Sequence, residues 1–101
     1  MTLVSFGELM RGAEEGSYAV GYFESWSLES LFAVADAAEA TRSPVILGFS
    51  GISLPHPGRV VPDRLSPYAA LGLEVCGGID VPACLLFNES PNLDWVLHSV
   101  D

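Results

Sequence analysis

The sequence contains no lysine, only four arginines, two histidines and two cysteines, and no apolar run of the length a membrane span needs. Without lysine, no side chain of this chain can form a Schiff base with a carbonyl substrate, so lysine-based aldol and pyridoxal chemistry are excluded within it. Thirteen acidic residues against four basic ones leave a formal net charge of -9. That charge repels phosphate backbones and anionic headgroups, so nucleic acid and membrane surfaces are excluded as main partners. Cys76 and Cys84 are too few for a disulfide framework, and their spacing fits no zinc or redox motif. They read as small buried apolar residues of a cytoplasmic protein. The opening Met1 to Ser5 lacks a basic segment, and Gly12, Glu14 and Glu15 follow too soon for a signal peptide.

What remains is an apolar chain of one-domain size: 101 residues, half of them hydrophobic and 17% charged, which is far from a disordered composition and demands that something cover the apolar surface. Ser5-Phe6-Gly7-Glu8 is a capping box that opens a short helix carrying Leu9, Met10 and Ala13, with Gly16 placed to stop it. Tyr18 to Phe23 follows without polar alternation, the pattern of a strand buried on both faces of a parallel sheet, and Glu24 breaks it. From Ser27 as N-cap to about Arg42, Leu28, Leu31, Phe32 and Ala35 fall on one helical face. Ser43-Pro44 ends that helix and Val45 to Phe49 forms the second strand. Ser50 to Leu65 is rich in Gly and Pro and predicts a long loop; Ser66-Pro67 caps a helix that stops at Gly77-Gly78. Val81 to Phe87 is the third strand, and Ser90-Pro91 caps a last amphipathic helix with Leu93, Val96, Leu97 and Val100.

The expected fold class is therefore α/β: an N-terminal helix plus about three parallel βα units in a single domain over residues 1–101. A three-stranded parallel sheet with free edges invites association, so the chain is expected to be a homo-oligomer or to dock onto a complementary partner through its sheet edges.

Tyr18-Ala19-Val20-Gly21-Tyr22-Phe23, Ala37-Ala38-Glu39, Ser43-Pro44-Val45-Ile46-Leu47 with Ser50-Gly51, and Val81-Pro82-Ala83 resemble the N-terminal portion of class II fructose-bisphosphate aldolases, the family that includes tagatose-bisphosphate aldolase. The resemblance runs along essentially the whole chain and implies a partial TIM barrel, since about three of eight βα units are present. It implies a lyase of carbohydrate metabolism, in which zinc polarises a ketose carbonyl, and a sugar phosphate as ligand. The family's third strand ends in Asp-His, the Asp moving the proton and the His ligating zinc, with further histidines and the phosphate loops contributed by later strands. Here those positions read Asn88-Glu89. An amide has no titratable proton, and a carboxylate ligand favours harder cations than an imidazole does. The first strand departs as well, with Glu24 where the family has Asn, while Ser50 keeps the family residue and the substrate contact that it implies. The resemblance thus implies an aldolase-like chain that is not competent alone. The alternatives are a self-associating structural or ligand-binding module, a docking half for a complementary half-barrel, and a divergent metal-dependent lyase assembled between subunits.

Independently of the family, Glu24, Ser50, Asn88 and Glu89 all fall just past the carboxyl ends of predicted parallel strands, the edge at which α/β folds bind ligands. Glu24 and Glu89, two strands apart at about 4.8 Å per strand, read either as a pair sharing a metal or a water or as solvated carboxylates at loop starts. His56 reads as a substrate-binding ligand or general base that reaches over the same mouth from the long loop, or as an idle exposed imidazole. Arg59 and Arg64 neutralise a phosphate or pair with the surrounding acids. His98 reads as a favourable charge at a helix end, and Trp26 and Trp95 as packing residues or interface anchors.

Overall fold

Ser5 starts the first helix as expected: its hydroxyl accepts from Glu8 N–H at 3.2 Å while the Glu8 carboxylate accepts from Ser5 N–H at 2.9 Å. The computed structural model describes residues 2–54, 56, 58 and 64–100. In it α1 spans Phe6–Gly16, β1 Gly21–Ser25, α2 Leu28–Thr41, β2 Val45–Ser50, α3 Leu65–Gly78, β3 Ala83–Asn88 and α4 Leu93–Ser99. The strands form one parallel sheet in the order β1-β2-β3, Gly21 pairing with Val45 and Val45 with Ala83. This is the mixed α/β arrangement of a partial TIM barrel, in keeping with the expected class.

The strand periodicity of two divides the sheet into two faces. Leu47 and Phe49 point with Leu31, Ala35, Ala38 and Cys76 into the main core, where α2 and α3 cover the sheet. Ile46 and Cys84 point the other way, against Leu9 of α1 and the half-buried Val4, Val20, Tyr22 and Leu86. At the carboxyl end this second face carries Glu24, Gly48, Ser50 and Asn88 in adjacent register. α1 packs over the start of this face, through Leu9 against Ile46 and Cys84. Both cysteines are free and buried, as the composition suggested.

Several expectations shift in register. α1 includes Gly16 and stops at Ser17, which takes the left-handed conformation at φ 55°. α2 likewise stops at Arg42, φ 53°, before Ser43-Pro44 is reached, and Arg42 meets Asp80 at 2.7 Å. The α2 residues that face the sheet are Leu31, Ala35 and Ala38, while Leu28 and Phe32 stand about half exposed on its flank.

β1 begins at Gly21 rather than Tyr18 and continues through Glu24 to Ser25. Burial on both faces holds for β2, all six residues of which are buried, but not for β1, where Phe23 is 54% exposed. β1 lies at the edge of the sheet, and an edge strand admits a polar residue that a central one would not. α3 begins at Leu65 and puts Ser66-Pro67 inside its first turn, where the missing proline N–H costs nothing because those donors lack partners anyway. α4 is capped by Asn92, whose side chain accepts from Asp94 and Trp95 N–H, and not by Ser90. Its Leu93, Val96 and Leu97 and the C-cap Val100 are exposed, and Trp95 alone of the helix packs inward, against Phe87. Among the described residues no helix is long and apolar enough to cross a membrane.

Candidate functional site

The site is organised by a glycine. A Cβ at Gly48, in the middle strand, would meet the Leu86 backbone carbonyl and would lie 2.8 Å from Tyr22 Cε1. Only a residue without a side chain lets the Tyr22 ring lean from β1 across β2. In that position the Tyr22 hydroxyl donates to Glu24 Oε1 at 3.1 Å, and the Asn88 side chain of β3 is near enough to influence its proton. Asn88 Nδ2 in turn donates to Glu89 Oε1 at 3.2 Å. A phenol, two carboxylates and an amide from both outer strands thus converge over the middle one.

Burial holds the Tyr22 proton above its ordinary range, and the charge of Glu24, the Tyr22–Glu24 hydrogen bond and the charge of Glu89 add to the shift, while the Asn88 side chain works against it. Tyr22 therefore remains a neutral donor at any physiological pH. Glu89 leaves the sheet at φ 52°, the left-handed region that costs an ordinary residue about 1 kcal/mol or more. Asn88 is half-buried and Glu89 exposed, so the cluster opens outward.

Glu24 and, on the far strand, Asn88 and Glu89 lie at the strand ends around Tyr22, as two hydrogen-bonded pairs, Tyr22–Glu24 and Asn88–Glu89. Ser50, 2% exposed, lies beside Asn88 in register, and its hydroxyl accepts from Ile52 N–H at 3.1 Å. It shapes the exit from β2 together with the Gly51 N–H that donates to Asn88 O at 2.7 Å. His56 stands apart: its Nδ1 accepts from Gly58 N–H at 2.9 Å, in a shallow depression with Trp26 and Ser53. Arg64 occupies the N-cap of α3 without making a side-chain cap bond. Arg59 lies outside the described residues. Tyr22 is the member of this cluster that the sequence does not announce as a site residue. Its signal was the i, i+2 spacing to Glu24, which puts both on one face of a strand.

As a metal centre, the cluster offers carboxylate, amide, phenol and hydroxyl oxygens but no imidazole or thiolate. Cys76 and Cys84 are in the core, where burial pushes the Cys76 thiol up to about 11, with a smaller contribution from Cys84, and raises Cys84 too. Among the described residues no group of three His, Cys, Asp or Glu side chains converges on one point. Zinc sites are built from nitrogen and sulfur donors with at most a carboxylate or two, so the described residues of this cluster do not fit the zinc of the family it resembles.

The sequence profile described as "Fructose-bisphosphate aldolase class-II" matches residues 4–86. A probable fructose-bisphosphate aldolase of Bacillus subtilis (strain 168) is 50% identical over 50 residues, which is 50% of this chain and 18% of that protein. The fructose-bisphosphate aldolase of Geobacillus stearothermophilus is also 50% identical over 50 residues, 50% of this chain and 17% of that protein. The fructose-bisphosphate aldolase of Staphylococcus aureus (strain N315) is 42% identical over 50 residues, again 50% of this chain and 18% of its own length. The matched stretch thus spans under a fifth of these curated relatives.

Proposed function

The chain belongs to the class II fructose-bisphosphate aldolase family, and from that footing we propose that it is an aldolase-type βα module that receives a hydroxylated ligand at its strand ends and does not by itself cleave ketose bisphosphates. The observation that supports this reading is the hydrogen bond of 3.2 Å between Asn88 and Glu89, at the two positions where the resemblance implies the family's Asp-His pair. Asn88 cannot give or take the proton that the family's Asp moves, and Glu89 supplies an oxygen where the family supplies an imidazole.

The same groups suit hydroxyl recognition. Tyr22 and Asn88 donate, Glu24 and Glu89 accept, and a sugar's vicinal hydroxyls, each both donor and acceptor, can replace the internal Tyr22–Glu24 and Asn88–Glu89 bonds one for one. Two carboxylates in a chain of net charge -9 disfavour a phosphate at this point, so the hydroxylated end of a sugar or sugar phosphate faces the cluster and any phosphate points away from it. A reducing compartment such as the cytoplasm keeps the two core cysteines as thiols.

Fructose 1,6-bisphosphate cleavage by the purified chain, with and without added zinc, tests the reading. No turnover above a chain-free control is expected. Metal-dependent turnover that is lost in Glu24→Gln would overturn it in favour of a lyase assembled between subunits.

A further inference from the structure

Asn88 and Glu89 are bracketed by contacts to a single residue of the turn that leaves β2, Gly51. Its N–H continues the β2–β3 ladder one residue past Ser50 and donates to Asn88 O at 2.7 Å. A Cβ at Gly51 would lie 2.6 Å from Ser90 Cα, 3.0 Å from Ser90 Cβ and 3.0 Å from Phe87 Cζ. The close approach therefore reaches both the residue before the Asn88–Glu89 pair and the residue after it. Backbone freedom is not what this position asks of glycine, since none of the described glycines has a positive φ. It asks for room. The first atom met is backbone, and Phe87 is itself packed on Trp95 of α4, so neither contact is easily relieved.

Ser50 holds the same turn from within. Its hydroxyl accepts from Ile52 N–H at 3.1 Å and its carbonyl from Leu54 N–H at 3.2 Å. At 2% exposure it has little surface to offer a ligand, whereas Asn88 is half-buried and Glu89 exposed.

We infer that Gly51 is the positioning residue of the strand-end cluster: it fixes the backbone from which Asn88 and Glu89 reach a hydroxylated ligand, and Ser50 acts through it instead of touching that ligand, an assignment that rests on the hydroxyl-ligand reading above. An asparagine side chain is short, so the direction of its amide donors is set by where the main chain puts its Cα. Glu89 takes φ 52°, a conformation that persists only where the surroundings hold it. Holding Asn88 at its carbonyl and Ser90 at its Cα fixes both ends of the one residue that makes this turn. The Asn88–Glu89 side-chain bond is exposed and competes with water. It reports the turn and does not make it.

The sequence has no glutamine and two asparagines, Asn88 and Asn92, so a nitrogen–proton correlation spectrum of the full chain holds two side-chain amide pairs, and Asn88→Asp assigns the first by its loss. In Gly51→Ala the Asn88 pair is expected to shift to the position it has in Glu89→Ala, where the bond to Glu89 is absent. Ser50→Ala adds no atom, and it is expected to shift the pair in the same direction even if Gly51→Ala does not fold. Gly16→Ala, whose methyl meets the Tyr18 ring at 2.5 Å at the end of α1, strains the fold elsewhere and is expected to leave the pair in place. With D-fructose as the probe, the midpoint of the Asn88 response should rise at least roughly tenfold in Gly51→Ala, because the pair is no longer preorganised. An Asn88 pair unmoved in both Gly51→Ala and Ser50→Ala, or moved as far by Gly16→Ala, or an unchanged D-fructose midpoint in Gly51→Ala, would overturn the proposal. A wild-type pair that does not respond to D-fructose would count against the hydroxyl-ligand reading, and the ligand-free spectra would still decide whether Gly51 positions the pair.

Discussion

Tyr22 donates its hydroxyl to Glu24 Oε1 at 3.1 Å, two residues further along the same face of one strand. The carboxylate is the acceptor that keeps the phenol protonated, second only to burial among the causes of the raised Tyr22 value. In Glu24→Gln the charge is lost, and phenolate absorbance, with Tyr22→Phe as the reference, should show Tyr22 ionising nearer its ordinary 10. An unchanged alkaline titration in Glu24→Gln would refute the arrangement. The sign for stability follows: the folded value lies above the unfolded one, so the contribution is complete below pH 10 and is lost as pH rises toward the folded value.

Gly48→Ala should be the most damaging small substitution in the sheet. The added methyl meets the Leu86 carbonyl, which the β2–β3 pairing holds in place, and the Tyr22 ring at 2.8 Å. A loss of about 3 kcal/mol in urea unfolding is expected from overpacking at a site that cannot relax. The Tyr22 ring must also leave its place over β2, so the tyrosine titration of the variant should lose its Asn88 and Glu89 dependence. A change under about 0.5 kcal/mol would show that β2 tolerates a side chain there.

Cys76 predicts a second alkaline effect, separable from the first. Its thiol is raised from 9.0 to about 11 by burial. Unfolded chains therefore release this proton first, and stability is complete below pH 9 and declines between pH 9 and about 11. In Cys76→Ala the slope of unfolding free energy against pH should be shallower over that window, measured by chemical denaturation at each pH. Identical slopes would place the thiol in contact with water.

The parts of the fold that were legible in the sequence are those in which local and long-range forces agree. The Ser5 and Ser27 caps hold because their side chains find the N–H groups three residues on. β2 was legible because a run of Val, Ile, Leu and Phe suits a strand buried on both faces. β1 was misplaced because the same kind of run reads alike in a central and an edge strand, and only the sheet order decides which it is. The two Ser-Pro pairs misled by one or two residues, since proline is accepted at several positions of a first turn and Asn92 was free to cap α4. At the site, strand ends alone placed Glu24, Ser50, Asn88 and Glu89. Tyr22 was not legible, because its approach to β3 depends on a glycine in a third element. Nor was the Ser25 hydroxyl, which is buried without a hydrogen-bond partner among the described residues.

The strand order β1-β2-β3 follows the order of the chain, and this bears on how the molecule folds. The first crossover joins Gly21 to Val45, whereas the second must bring Ala83 back to Val45 across a longer segment. Closing the longer loop costs about 0.4 kcal/mol more by chain-length scaling alone. The β1–α2–β2 unit is therefore the cheaper nucleus. During synthesis it can form before α3 and β3 have emerged, and the nascent chain then already carries, in Tyr22 leaning over Gly48, half of the cluster that β3 later completes.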